Sequence, residues 1–355
     1  MPDTTAKDFN IIRALRDDEE SSSWIKSQIV TTTDTGKMAI ASRLNKDKII
    51  KHYSYIPNPE LAPLEEGPLA RPPVTVNYGD EMTQAREYAN IRYKEELQRF
   101  IESNKKALGL THPNIVGVME LRKDQTTGED IIIREFYMGD SIYDMTKGLL
   151  VEGMVPIFLG VIDAVDFIHR KRMLHLNLKP MRIRVVHTEY GFQVKLTDFG
   201  YASDFGKIGD FVHGVPSFSA PEVIFKQKRE IGETSDLYSI GAIMYYCMTR
   251  ALPFPLRNGA KSMDRLIDMV EREHEPMKPS DQNPAIIENP TEKIKLNREP
   301  EKVKLLEDLV MGLIKKEPSD RLVKSAVDLH KKISAIFKGV KSGIAAPSAT
   351  FSASS

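Results

Sequence analysis

The run Leu237–Met248 constrains this chain most. Read as a helix it is apolar on nearly every side, with only Ser239 and Gly241 interrupting it. Such a helix has no face to offer water, so it is expected at the centre of a larger helical body. Ile157–Arg170 carries apolar residues at helical spacing, and Met263–Glu273, Glu301–Lys315 and Val323–Phe337 are amphipathic. No uninterrupted apolar stretch approaches the ~20 residues that cross a bilayer, so no membrane span is expected.

The first half has a different character. The β-rich run Ile29–Thr33, the turn Asp34-Thr35-Gly36 and the segment Lys37–Arg43 read as two strands and a tight hairpin. Six prolines between positions 52 and 80 rule out helix and disfavour strand, so residues 52–80 are expected to form an inserted arm. From Asp80 to Leu108 the apolar residues Tyr88, Ile91, Leu97, Phe100 and Ile101 recur at helical spacing. Ile115–Leu121 and Ile131–Phe136 are strand-like, joined by a turn at Asp124–Gly128. A polar, proline-containing excursion spans 277–300, and the Ser/Ala-rich end is expected to be disordered.

Composition limits the function classes. Across 355 residues, Lys and Arg balance Asp and Glu at 50 each, so no net field draws the chain to nucleic acid or an acidic membrane. The single cysteine, Cys247, excludes an internal disulfide framework and a cysteine-based zinc cluster. Met1–Asp18 lacks the apolar core of a secretory signal. A cytoplasmic location and a protein partner, of open identity, are the expectations.

A set of short motifs then stands in one order. His175-Leu176-Asn177-Leu178-Lys179-Pro180 resembles the catalytic loop H-R-D-L-K-P, and Asp198-Phe199-Gly200 and Ala220-Pro221-Glu222 follow at matching distances. Asp236-Leu237-Tyr238-Ser239-Ile240-Gly241 and Pro318-Ser319-Asp320-Arg321 complete the series; upstream lie His112-Pro113-Asn114-Ile115-Val116 and the hinge-like Glu135-Phe136. Over residues 30–335 the chain resembles the eukaryotic-type protein kinases. Lys179 and Gly214-Val215-Pro216 look more like the serine/threonine branch. The resemblance implies an α+β, bilobal fold, with a small β-rich N-lobe holding one long helix and a larger helical C-lobe. The expected division is an N-terminal segment 1–26, an N-lobe 27–136 with the insertion 52–80, a C-lobe 137–338 and a disordered tail 339–355.

The groups that move phosphate in that family are mostly missing. A phosphate-cradling loop needs glycine, but the first glycine is Gly36, and Glu19-Glu20-Ser21-Ser22-Ser23-Trp24 stand upstream. Either register of the strand that should carry the lysine puts Ala41 or Ser42 there; Lys26 is the substitute by analogy with the with-no-lysine kinases. Glu102 or Ser103 falls at the regulatory-helix glutamate. Asn177 replaces the catalytic aspartate, and an amide is no useful base near neutral pH. Arg182 replaces the magnesium-binding asparagine, and a guanidinium cannot ligate a cation. Asp198 alone survives as a weak metal ligand.

Three arginines stand at cleft positions. Arg184 falls at the adenine-pocket floor and Arg134 at the gatekeeper, beside Arg182. They are expected either to swing to solvent or to find partners, and a pair between Arg182 and Asp198 would put an internal cation in place of the metal. By the same resemblance His175 and Phe199 are spine positions, Asp236 caps the catalytic-loop backbone, and Glu222 pairs with Arg321. Leu176 replaces the arginine that receives an activation-segment phosphate, although Ser203, Ser217 and Ser219 are candidate phosphorylation sites. The expectation is a pseudokinase scaffold or allosteric regulator with no cofactor. The alternatives are an atypical active serine/threonine kinase using ATP and magnesium, and a sensor of some other anion.

Overall fold

The computed structural model describes residues 25–32, 38–44, 46–47, 78–125, 127–137, 139–188, 191–199, 202–208, 217–225, 230–254, 276–283 and 299–339. The proline-rich arm through residue 77, the Asp34–Gly36 turn, Gly200, Gly214–Pro216, Met263–Glu273, residues 284–298 and the tail from 340 lie outside them. The chain divides into two compact units, one of Met1–Leu110 with Gly117–Met138 and one of Thr111–Val116 with Gly139–Ser355.

The first unit is a four-stranded antiparallel sheet with a long helix. Strands β1 (Ile25–Thr32), β2 (Met38–Leu44), β3 (Val118–Lys123) and β4 (Asp130–Glu135) lie in the order β1-β2-β4-β3. Ala39, Ile131 and Ile133 form a small core, with Ala41 against it. Helix α1 spans Tyr78–Ala107, so it starts two residues before the helical pattern read at Asp80. Its last turn carries Lys105 and Lys106, which complement the negative end of the helix dipole. Ile91, expected in the apolar stripe, is 56% exposed. Leu108 leaves the helix to bridge Val118, fastening the helix end to the sheet.

The strand expected at Ile115–Leu121 is divided. Ile115 bridges Leu196, whose N–H donates to the Asn114 carbonyl and whose carbonyl accepts from Val116 N, so Asn114–Val116 belongs to the second unit. The pairing with β4 begins only at Val118. A local apolar pattern cannot register which of two sheets claims it.

In the second unit, β5 (Asp140–Ser141), β7 (Ile183–Thr188) and β8 (Gly191–Leu196) form one sheet, and β6 (Met173–Leu174) pairs with β9 (Ser203–Asp204). Short helix α2 (Ile142–Met145) follows β5. Helix α3 (Val151–Arg170) begins six residues before its sequence pattern and passes through Pro156. Pro156, the sixth residue of the helix, has no N–H to give the Glu152 carbonyl, so one bond of the ladder is missing there.

Helix α4 (Pro221–Ile224) precedes α5 (Glu233–Thr249), whose residues from Ser235 to Thr249 are buried at all but one position. This is the central helix that the apolar run requires. Helices α7 (Pro300–Leu313) and α8 (Ala326–Ile336) supply the surrounding faces, α7 against α5 and α8 against α3. Inside the expected excursion, Pro279–Gln282 forms a single helical turn, α6. Buried Glu307 on α7 pins it by accepting from both Ser280 N and Ser280 Oγ at 2.6 Å. No helix among the described residues is long and apolar enough to cross a membrane.

Candidate functional site

The candidate site is assembled on the loop between β6 and β7. Its entry is fixed from below by Asp236, in the first turn of α5. That carboxylate accepts from His175 N and Leu176 N, both at 2.8 Å, and contacts His169 Nε2 at 2.9 Å. Burial pushes the Asp236 carboxyl upward, but the His169 hydrogen bond and the other donors outweigh it and hold the group below its ordinary value. Leu176 adopts φ 58°, a left-handed conformation that costs a branched aliphatic residue about 1–2 kcal/mol. The two N–H bonds to Asp236 hold it there.

His175 is wholly buried and its ring lies 5.1 Å from that of Phe199. Its Nε2 is 3.1 Å from the Thr197 carbonyl, and its Nδ1 accepts from Asn177 N. Burial lowers the imidazole pKa, more than the nearby carboxylates raise it, so the ring is neutral at physiological pH. Asn177 is 2% exposed, and its Nδ2 donates to Asp198 Oδ2 at 3.0 Å.

Lys179 leads into a 3-10 turn, Pro180–Arg182. Thr197 donates through both its backbone N and its Oγ1 to the Arg182 carbonyl, which sets the distance between Arg182 and the residue after Thr197. That residue is Asp198, and Arg182 Nε stands 2.8 Å from its Oδ2. The N–H is turned off the oxygen and makes no directed hydrogen bond among the described residues, so the contact is ionic. One carboxylate oxygen thus meets both the Asn177 amide and the Arg182 guanidinium. Asp198 itself has φ 61°.

Lys179 is mostly buried. Desolvation, helped by the Arg182 charge and opposed by Asp198, lowers its pKa to about 8. Arg184 is not at a solvent edge: it is 6% exposed, and its Nε–H has no partner among the described residues. On the β7–β8 ladder it stands directly opposite Lys195, which is equally buried, so two cations share one face of the sheet. Neither Lys195 nor Thr197 stood out in the sequence. The period-two pattern of β8 was the signal for Lys195, and nothing local marked Thr197.

The remaining candidates divide between the units. In the first, Ala41 and Ser42 on β2 pair with Ile133 and Ile132, and Arg134 Nε donates to the buried Ser42 Oγ at 3.2 Å. Glu135 Oε2 accepts from Gly117 N. Lys26 lies on β1 opposite Arg43, its side chain outside the described residues. Glu102 is exposed on α1 and accepts from Gln98; the Ser103 side chain is outside the described residues. In the second unit Arg321 makes a bidentate pair with Glu222, both contacts 2.7 Å and both side chains without exposure. Ser203 and Ser219 are buried, whereas Ser217 is partly exposed, so only the last is open to a modifying enzyme.

The residues present do not fit magnesium. That ion demands near-octahedral oxygen ligands, and among the described residues the carboxylate at this loop, Asp198, meets a guanidinium and an amide N–H. Among the described residues no group of three or more His, Cys, Asp or Glu side chains could hold a metal ion. Asn177 cannot accept a hydroxyl proton, because its nitrogen is a donor and its carbonyl is barely basic.

The protein kinase domain family matches residues 84–332. The chain is 28% identical over 167 residues to Death-associated protein kinase 2 of Mus musculus, which covers 45% of this chain and 43% of that protein. The Homo sapiens protein of the same name is 27% identical with the same coverage. Calcium/calmodulin-dependent protein kinase kinase of Caenorhabditis elegans is 25% identical over 228 residues, covering 62% of this chain and 37% of that one. The chain therefore spans less than half the length of these curated relatives.

Proposed function

This chain belongs to the protein kinase domain family, and on that premise we propose that it is a catalytically impaired member that works by binding other proteins, as a scaffold or allosteric regulator. The observation that carries this reading is the fate of Asp198. Its Oδ2 contacts Arg182 and Asn177, the residues at the positions where the family resemblance expects the second metal ligand and the base. Phosphoryl transfer depends on charge placed to meet the phosphates and the metal, and here a neutral ligand position has become positive and a negative one has become neutral.

The scaffold contacts support the same reading. Asp236 still organises the loop backbone, and Glu222 with Arg321 still closes the second unit. A binding protein needs those contacts; a catalyst needs them together with the missing groups.

A second reading, an atypical active kinase, has one observation in its favour. Lys179, with a pKa of about 8, is partly neutral in mildly alkaline solution and so has some capacity to accept a proton. Autophosphorylation with radiolabelled ATP, beside an Asp198→Asn control, separates the two. The leading reading expects no transfer from the native chain and no magnesium-dependent thermal shift with ATP. The Asn177→Asp/Arg182→Asn double variant, with the carboxylate released, is expected to gain such a shift. Transfer by the native chain that disappears in Asp198→Asn would establish the second reading instead.

A further inference from the structure

Strand β7 is the middle of its sheet, and one row across it reads Ser141 on β5, Arg184 on β7 and Lys195 on β8. Directly opposed residues of an antiparallel ladder put their side chains on one face, with Cβ atoms about 4.5–5.5 Å apart. The other face of this sheet belongs to α3. A Cβ at Gly160 would lie 2.9 Å from Val194 Cγ2, so Val194 faces the helix, and Lys195 beside it faces away, together with Arg184. Arg184 is 6% exposed and Lys195 8%. The Arg184 Nε–H has no hydrogen-bond partner, and its guanidinium enters no ion pair, among the described residues. The Asp144 carboxylate accepts from Ser141 Oγ at 2.6 Å and is itself exposed, so it does not serve the arginine. A buried, uncompensated cation set beside a second cation calls for an anion.

We propose that Arg184 and Lys195 form a binding site for a small dicarboxylate. The guanidinium fork matches the two oxygens of one carboxylate, and the Lys195 ammonium, across the ladder, takes the second as a point charge. A dianion balances both cations. A neutral planar base on this face would leave both charges uncompensated, which sets the ligand apart from the adenine that the family resemblance places at Arg184. Phosphate fits less well, because its further oxygens need backbone N–H donors, and those of a ladder lie within the sheet rather than out of its face. The inference does not depend on the loss of phosphoryl transfer, since neither residue stands at a position that performs it.

Calorimetric titration of the full chain with succinate, in EDTA at constant ionic strength, tests the site. Sulfate and adenosine are titrated in parallel, with chloride as the blank. Saturable succinate binding that falls about tenfold or more in Arg184→Leu and in Lys195→Gln supports it, since each variant removes a charged hydrogen bond. No saturable heat from succinate, a loss short of about tenfold in either variant, or tighter binding of sulfate or adenosine overturns the proposal. If one variant does not melt cooperatively, the other decides alone. The transfer assay above reads phosphate incorporation and this titration reads metal-free binding, so the failure of one is never mistaken for the failure of the other.

Discussion

Asp236 ends two backbone hydrogen bonds and a histidine contact while having no exposed surface, and it does so only as a carboxylate. Its depressed pKa means that the folded state holds its proton less tightly than the unfolded chain, whose value is near 3.8. The stability it contributes is therefore complete above that pH and is lost as pH falls through the folded value. His175 acts in the same direction higher up the scale. Its pKa lies below 6.5 in the fold, so the unfolded chain takes up the proton first and acidification from about 6.5 favours unfolding. Urea midpoints measured from pH 7.5 to 4 should fall with a slope that begins near 6.5. A flat or rising profile over that range would show that His175 is not held as described.

At the scale of elements, close helix packing on α5 turns on a glycine. A Cβ at Gly241 would lie 2.7 Å from Leu313 Cβ on α7 and 3.0 Å from Ile314, too close for either to yield cheaply. Gly241→Ala should lower stability by about 1–3 kcal/mol despite alanine's better helix propensity, read as a shift in the urea midpoint at unchanged slope. The helices themselves were legible because their apolar spacing is long and regular: α5 was visible from Leu237–Met248 alone. Ends and short elements were not. Ile115 looked like the start of a strand, but Leu196, eighty-one positions away by residue number, decides its place. Ser280 looked like part of a polar excursion because its anchor, Glu307, lies 27 residues on. The site was legible in kind, since Asn177, Arg182 and Asp198 could each be named from a motif. The burial of Arg184 was not, because a lone charge in a sequence reads as surface, and its depth depends on the β7–β8 sheet around it.

On the scale of the whole molecule the two units are unequal. Among the described residues the first holds a small cluster around Ala39, Ile131 and Ile133, whereas the second is organised around an enclosed helix and an ion pair with no exposure. Arg321 also donates to the Thr234, Lys315 and Lys316 carbonyls, so one guanidinium joins two further segments of the second unit to Glu222. Arg321→Met leaves the Glu222 carboxylate buried without a counter-ion and should cost about 3–5 kcal/mol. Calorimetric melting of the variant should show the second unit's transition displaced downward; an unshifted melt would mean that the pair contributes only geometry.

That pair also sets a timetable. Its members are 99 residues apart, and a chain growing at about 5–20 residues per second leaves Glu222 waiting on the order of 5–20 s for Arg321 to be made. Through that interval α5 exists with all its apolar sides and without the clasp that closes over its beginning. The nascent protein is thus open to sticking to its neighbours after α5 is made and before α7 and residue 321 follow it.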